Sequence, residues 1–220
     1  MDLLEGVRSP HRGSGGAVEG PRGLGHASSL ARSRSADEQW SGSPPPAGVP
    51  DTPRLLHHRA MQPVHVGVIG AGSADPAIVS AAEEVGRLLA IHGARVVCGG
   101  LGGVMEAACR GAKSSGGTTI GILPGLDRRE ANPWVDVAIP TGLGEARNAL
   151  VVRAVDVVIA IGGEFGTLSE IALALKTGKS VVGIDTWELS KRGEMTTQIV
   201  RAATPAEAVD RALALAAGTR

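Results

Sequence analysis

Residues 156–170 read Asp156-Val-Val-Ile-Ala-Ile-Gly-Gly-Glu-Phe-Gly-Thr-Leu-Ser-Glu170 and combine an apolar run, a glycine-rich turn and the beginning of a helix. The run up to Ile161 does not alternate between apolar and polar residues, which predicts a strand buried on both faces. The pattern after the turn predicts a helix over 168–177. A buried strand that leads through a tight turn into a helix is typical of a parallel sheet.

The same alternation of strands and helices extends in both directions from this stretch. Further strands are predicted at Val64–Ile69, Arg95–Cys98, Thr118–Leu123, Val135–Ile139 and Ser180–Ile184, with a short seventh strand at Gln198–Arg201. Helices are predicted at Pro76–Ile91, Gly103–Ala112, Glu145–Ala154 and Leu168–Thr177, and from Thr204 to about Ala216. The chain is therefore predicted to be an α/β protein. Its Rossmann-like, doubly wound parallel sheet has six to seven strands, with helices on both faces.

Composition divides the chain near residue 60. Residues 1–60 are rich in Gly, Pro and Ser, contain no Lys and lack any sustained helical or strand period. Such a segment predicts a disordered N-terminal extension, and residues 61–220 form the predicted nucleotide-binding domain. An alternative interpretation is that the functional protein begins at Met61 and that the upstream residues are a gene-start artefact.

Charge and composition exclude several classes of partner. The 22 basic residues balance the 22 acidic ones, and aromatic residues make up 2% of the chain. Neither value is typical of a nucleic-acid or anionic-membrane binder, and no apolar run reaches the roughly 18 to 20 residues of a membrane span. The only cysteines, Cys98 and Cys109, indicate a reduced, cytoplasmic setting. No His or Cys spacing predicts a metal site.

Glycine-rich loops follow most of the predicted strands. These loops are Gly70-Ala-Gly72-Ser73, Gly99-Gly-Leu-Gly-Gly103, Pro124-Gly125 and Gly162-Gly-Glu-Phe-Gly-Thr167. In a parallel sheet they lie together at the carboxyl ends of the strands, where ligands bind. Glycine admits a ligand close to the backbone, and helix N-termini favour anions. The loops therefore predict a phosphate-bearing ligand, although they match neither the dinucleotide fingerprint nor a Walker A loop.

Two of these loops resemble the motifs of a known family. Gly99–Met105 matches Gly-Gly-x-x-Gly-x-Met, and Gly162–Glu170 resembles Pro-Gly-Gly-x-Gly-Thr-x-x-Glu, with Gly162 in place of Pro and Glu164 in place of the second motif Gly. These are motifs of the Rossmann-like proteins once labelled lysine decarboxylase-like. That family includes the Lonely Guy cytokinin riboside 5′-monophosphate phosphoribohydrolases and the molybdenum-cofactor carrier proteins. The resemblance covers about residues 63–190 and is closer to the less characterised bacterial branch.

The resemblance implies an activity and two catalytic residues. An Arg before the second motif acts with the motif's final Glu in the phosphoribohydrolases, and Arg147 and Glu170 stand at those places. They would release the base from a purine nucleoside 5′-monophosphate, with no metal or cofactor required. Where the family has Lys next to this Arg, the chain has Asn148. That change and Glu164 favour the alternative function, a non-catalytic molybdenum-cofactor carrier or nucleotide sensor.

The loops and the resemblance together give the predicted site and partners. The predicted binding residues are Gly70, Gly72, Ser73, Gly99, Gly100, Gly102, Gly103, Met105, Gly163, Gly166 and Thr167. The expected ligand is a small-molecule nucleotide or the molybdenum cofactor. Family members are usually homodimers, and the apolar segment 171–175 is a candidate interface. Thr167 to Glu170 also fits a capping box, which would give Glu170 only a structural role.

Overall fold

A computed structural model describes residues 62–218, and it forms one seven-stranded parallel sheet flanked by helices. The predicted disordered extension 1–60 and the predicted start at Met61 lie outside the described residues. Its strands are β1 His65–Gly70, β2 Arg95–Cys98, β3 Thr119–Leu123, β4 Val137–Pro140, β5 Val157–Ile161, β6 Ser180–Ile184 and β9 Ile199–Arg201. They lie in the order β4-β3-β2-β1-β5-β6-β9. The predicted α/β fold is confirmed.

Five α-helices and two 3-10 helices complete the described part of the chain. The α-helices are α1 Pro76–Ile91, α2 Val104–Ser114, α3 Asn148–Arg153, α4 Phe165–Lys176 and α5 Pro205–Gly218. The 3-10 helices span Arg128–Glu130 and Gly144–Arg147. Helices α1, α2 and α5 share one apolar cluster with the sheet, while α3 and α4 share another. The two clusters lie on opposite faces, so the sheet is doubly wound as predicted.

Strand β5 shows how the apolar run builds both cores. Val157, Ile159 and Ile161 belong to the cluster with α1, α2 and α5, whereas Val158 and Ala160 belong to the cluster with α3 and α4. Successive side chains of a strand point to opposite faces. Every residue of β5 is buried, which explains why its sequence shows no alternation.

The sheet order places a crevice beside β1. The chain proceeds outward from β1 through β2 and β3 to β4, and then returns to add β5 on the other side of β1. The loops after β1 and β5 therefore diverge at the point where the strand order reverses, which is where open α/β sheets bind ligands. Within residues 62–218, no helix is both long enough and apolar enough to cross a lipid bilayer.

Several predicted element boundaries were wrong. The helix predicted over 145–154 is a 3-10 turn up to Arg147 followed by the short helix α3. Helix α4 begins at Phe165 rather than Leu168, because the glycine-containing sequence Phe-Gly-Thr already forms its first turn. Strand β4 covers 137–140 rather than 135–139, since Asp136 is engaged in side-chain hydrogen bonds to Thr119.

One further element was not expected from the sequence, and one expectation concerns the burial of helix α4. An antiparallel hairpin, β7 Ser190–Lys191 with β8 Glu194–Met195, was not predicted; its turn residues Arg192 and Gly193 have left-handed backbone conformations. In the segment 171–175, the candidate interface, Ile171 and Ala174 are fully buried against the sheet, whereas Ala172 is exposed and Leu173 and Leu175 are half-buried. A subunit interface at this segment stays a prediction.

Candidate functional site

A cleft of about 430 Å³ opens at the carboxyl ends of the strands, beside the point where the strand order reverses. This volume is in the range of small-molecule sites. The predicted residues that line it are Gly70, Gly72, Met105, Arg147, Gly166, Thr167 and Glu170. The structure therefore brings the two candidate catalytic residues together with parts of three glycine-containing loops.

The floor of the cleft holds an ion pair between Arg147 and Glu170. Arg147 ends the 3-10 turn before α3, and Glu170 lies in the second turn of α4, on its buried face. The two side chains are 9% and 8% exposed, and Arg147 Nη1 lies 3.6 Å from Glu170 Oε1. Arg147 Nε is buried and has no hydrogen-bond partner within residues 62–218. The guanidinium group thus retains donor capacity for a ligand.

The environment of Glu170 favours its neutral form. Burial raises the pKa of the Glu170 carboxyl group to about 7, and the charge of Arg147 opposes this shift only in part. Glu170 therefore exchanges a proton near neutral pH, the property required of a general acid or base. The capping-box interpretation of Glu170 is wrong, because α4 already begins at Phe165 and Thr167 is inside the helix.

The N-terminus of α4 opens onto this cleft. Its N-cap residue, Glu164, makes no side-chain capping hydrogen bond, and Gly166 and Thr167 of the first turn line the cleft. An uncapped first turn presents free N–H groups and the positive end of the helix dipole. Helix α1 differs, because the carboxylate of Asp75 accepts hydrogen bonds from the N–H groups of Ala77 and Ile78.

Most residues of the loop after β2 lie beside the cleft and do not line it. Gly103 adopts a φ of 62°, and a β-carbon there would lie 2.4 Å from the carbonyl oxygen of Ala71. The residue must therefore be glycine for the loops after β1 and β2 to approach each other. Gly102 lies near Gly72, and Gly100 packs against the end of β3. None of these three predicted residues lines the cleft.

Two predicted residues, Ser73 and Gly163, lie in a neighbouring cleft. This second cleft, of about 310 Å³, is also lined by the carboxylate-bearing residues Asp75, Glu164 and Asp185. Unlike the first cleft, which contains Arg147, this cleft is lined by no basic residue, so it offers no cation to balance a phosphate group. The predicted binding residues are therefore divided between two clefts of different electrostatic character.

Several residues around the first cleft were not predicted as binding residues. Asn148, at the place of the family's Lys, lines the cleft, and its Nδ2 donates to the hydroxyl of Ser169 on α4 at 3.2 Å. Glu145 is exposed at the rim. The loop before α4 is held by the indole N–H of Trp187, which donates to the carbonyl of Glu164 at 3.2 Å. The sequence had marked Asn148 only as a departure from the family's Lys and not as a binding residue, whereas the contact of Trp187 leaves no sequence signal.

A further cavity in the described part of the chain contains none of the predicted binding residues. A cavity of about 210 Å³ lies beside β6 and β9, and none of the predicted binding residues line it. Among residues 62–218, no group of three or more His, Cys, Asp or Glu side chains is arranged to hold a metal ion.

Comparison with known proteins identifies similar chains. An uncharacterized protein of Archaeoglobus fulgidus is 46% identical over 124 residues, which are 56% of this chain and 82% of the relative. The structure of the molybdenum cofactor binding protein from Rippkaea orientalis matches with 36% identity and a TM-score of 0.64. That of the molybdenum cofactor carrier protein from Chlamydomonas reinhardtii matches with 34% identity and a TM-score of 0.61. Each structural match covers 71% of this chain and 99% of the other chain.

The family model covers the whole described sheet. Residues 63–209 match the model of the SLOG cluster4 family, a span that includes both glycine-rich motifs and the Arg147–Glu170 pair. The motifs had indicated the same Rossmann-like superfamily, and the narrower placement among lysine decarboxylase-like proteins stays a prediction. With two thirds of its length matched by this model, the chain belongs to the SLOG cluster4 family.

Proposed function

We propose that the cleft binds a small molecule through its phosphate group, and that the molybdenum cofactor, a pterin phosphate, is the ligand it carries. The observation that carries the proposal is Arg147, a buried guanidinium group on the cleft floor whose Nε lacks a hydrogen-bond partner among the described residues. A buried cation with a free donor is an unfavourable arrangement unless an anion completes it.

Neighbouring groups fit the same ligand. The uncapped first turn of α4 offers N–H donors at Gly166 and Thr167, on the wall of the cleft. When Glu170 is protonated, the cleft floor carries only the positive charge of Arg147, so phosphate meets no repulsion there. Glu145 and Glu164 are exposed at the rim, where solvent screens their charge.

The similar proteins support the pterin ligand in particular. The solved structures from Rippkaea orientalis and Chlamydomonas reinhardtii are those of a molybdenum cofactor binding protein and a molybdenum cofactor carrier protein. Because no metal-holding group of side chains is present within residues 62–218, this chain would hold the cofactor by its phosphate and organic part. The molybdenum would be carried as part of the bound cofactor.

A transfer experiment tests this proposal. The purified protein is mixed with molybdenum cofactor released from a molybdoenzyme, separated by gel filtration and oxidised to the fluorescent pterin derivative. Pterin is expected to elute with the protein and to be lost from the Arg147→Ala variant. Arg153→Ala is the matched control, because Arg153 is an exposed residue at the end of the adjoining helix α3. Absence of pterin from the wild-type fraction would refute the carrier function.

The Arg147–Glu170 pair also favours a second candidate function, hydrolysis of a purine nucleoside 5′-monophosphate. In this reaction water attacks the anomeric carbon, the N-glycosidic bond breaks and the base leaves with a proton. Glu170 would hold the water or stabilise the oxocarbenium character of the sugar, since its pKa of about 7 suits proton transfer near neutrality. Arg147 would hold the 5′-phosphate.

Incubation with AMP tests this second candidate. Hydrolysis predicts adenine and ribose 5-phosphate in equal amounts, detected by chromatography, and their loss in Glu170→Gln. Binding of AMP without release of adenine would exclude hydrolysis of this nucleotide and would favour the carrier function.

We also propose that the protein forms a homodimer through the uncovered end of the sheet. Val137 and Ile139 of the edge strand β4 are 47% and 43% exposed, and their register with Ile120 and Ile122 places them on the face covered elsewhere by α3 and α4. Leu143, just after this strand, is also exposed. An apolar surface continuous with a core is typical of an interface between subunits.

A further inference from the structure

Two buried cysteines lie in contact directly beneath the cleft. Cys98 ends β2 and Cys109 lies in the middle of α2, and both side chains are fully buried. Their sulfur atoms are 3.5 Å apart, and both thiols are free. A disulfide bond has an S–S length of about 2.05 Å, so the two sulfur atoms need to approach by only about 1.5 Å.

We propose that Cys98 and Cys109 are a peroxide-oxidised thiol pair that forms a reversible intramolecular disulfide. This function is independent of the carrier function proposed for the cleft. The pair has no role in holding phosphate, because neither sulfur lines the cleft.

The surroundings assign different roles to the two thiols. The N–H group of Gly100 donates to the Cys98 sulfur at 3.3 Å. The pKa of Cys98 is lowered by its hydrogen bond with Cys109 and, to a smaller extent, by the Gly100 hydrogen bond and the charge of Arg147, against the opposing effect of burial. The hydrogen bond with Cys98 and burial raise the pKa of Cys109. The Gly100 N–H group is placed to stabilise a thiolate at Cys98, which makes Cys98 the nucleophile and Cys109 the resolving thiol.

The reaction balances with hydrogen peroxide as the oxidant. The Cys98 thiol loses its proton and the thiolate attacks one peroxide oxygen. The O–O bond breaks, and the departing hydroxide takes up the proton that the thiol released, so that Cys98 becomes a sulfenic acid and water is formed. The Cys109 sulfur then attacks the Cys98 sulfur. The S–O bond breaks, and the leaving hydroxide takes the Cys109 proton to form a second water molecule. Two thiols are oxidised and one peroxide is reduced.

A thin layer of side chains separates the pair from solvent. Met105 belongs to the same buried cluster as the two cysteines, and Leu101 packs against that cluster. Both of these side chains also line the cleft. Hydrogen peroxide is close to water in size, and it would reach the pair through a local movement of the loop that carries Leu101.

Thiol counting on the full chain tests the proposal. The reduced protein is treated with a small excess of hydrogen peroxide, denatured in the presence of an alkylating reagent and weighed by mass spectrometry. The expected product has lost two hydrogen atoms and carries no alkyl groups, and its peptide map links Cys98 to Cys109. Dithiothreitol is expected to restore both thiols. The proposal is overturned if both cysteines are still alkylated while a simple thiol in the same tube is oxidised.

Single substitutions separate the two roles. In Cys109→Ser, Cys98 is expected to stop at the sulfenic acid and to be labelled by dimedone. In Cys98→Ser, Cys109 is expected to stay alkylatable at the same peroxide dose. Equal reactivity of the two single variants, or a disulfide that links two chains in the wild type, would contradict the assignment. Circular dichroism of each variant verifies folding, so that exposure of the thiols by unfolding is not mistaken for reactivity.

Discussion

Gly99 lies against the guanidinium group of Arg147, and a β-carbon built on Gly99 would be 2.4 Å from Nη2 and 2.5 Å from Nη1. No heavy atom fits at that distance, so any larger residue at 99 must displace the Arg147 side chain. The first glycine of the loop after β2 is thus explained by the position of Arg147, without direct contact between that glycine and a ligand.

The Gly99→Ala variant is expected to weaken phosphate binding by about tenfold or more, the loss typical of a misplaced charged hydrogen bond. Isothermal titration with AMP measures the effect. In an Arg147→Ala background, the same substitution is expected to have no further effect, since the group it displaces is already missing. Additive effects in the double variant would show that Gly99 acts by another route.

The N-terminus of α1 is capped by a side chain, whereas that of α4 is uncapped and lines the Arg147 cleft. We therefore expect loss of the α1 cap to affect stability and not ligand binding. Asp75→Ala removes the side-chain cap of α1, which is expected to lower the free energy of unfolding by about 1 kcal/mol. Urea denaturation measures this loss. Binding of AMP is expected to be unchanged, because the first turn of α1 does not line the Arg147 cleft. Weaker AMP binding in this variant, with folding intact at the assay temperature, would place the phosphate at α1 instead.

The sheet was predictable from sequence because its central strands are buried on both faces. The uninterrupted apolar run predicted β5 as a fully buried strand, and the pair Asp75-Pro76 predicted the start of α1. Both predictions were confirmed. The 3-10 turn that ends at Arg147 was not predictable, since its residues are equally compatible with an α-helix. Its conformation depends on tertiary contacts that no local pattern encodes.

The site was predictable only in part. Arg147 and Glu170 are 23 positions apart on different elements, and the family resemblance paired them rather than any local pattern. The loop after β1 was predicted to hold phosphate, yet the same stretch supplies Asp75, whose carboxylate occupies the donors of α1. A helix N-terminus that is capped by its own side chain cannot offer the same N–H groups to a ligand.

The proposed dimer interface predicts a change in oligomeric state. Ile139→Asp places a charge on the exposed apolar edge strand and is expected to convert a dimer into a monomer, measured by light scattering after size-exclusion chromatography. Ile91→Asp is the matched control, because Ile91 is also an exposed isoleucine, 57% accessible, but lies at the end of α1. A monomeric wild-type protein, or dissociation of both variants alike, would rule out this interface.

The raised pKa of Glu170 makes the stability of the fold depend on pH. The carboxyl group titrates near 7 in the folded chain and near 4.5 when unfolded. Between these values the folded state binds more protons than the unfolded state, so stability falls as pH rises. This stabilisation is fully present below 4.5 and is lost as pH passes 7.

Over this window the contribution of Glu170 amounts to about 3 kcal/mol. Urea denaturation of the wild type and of Glu170→Gln, from pH 4.5 to pH 8, measures it as the change in the difference between the two unfolding free energies. Glutamine cannot titrate, so the wild type is expected to lose stability relative to the variant as pH rises. Parallel curves for the two proteins would mean that Glu170 is ionised throughout, and its role as a proton carrier in the cleft would fail with it.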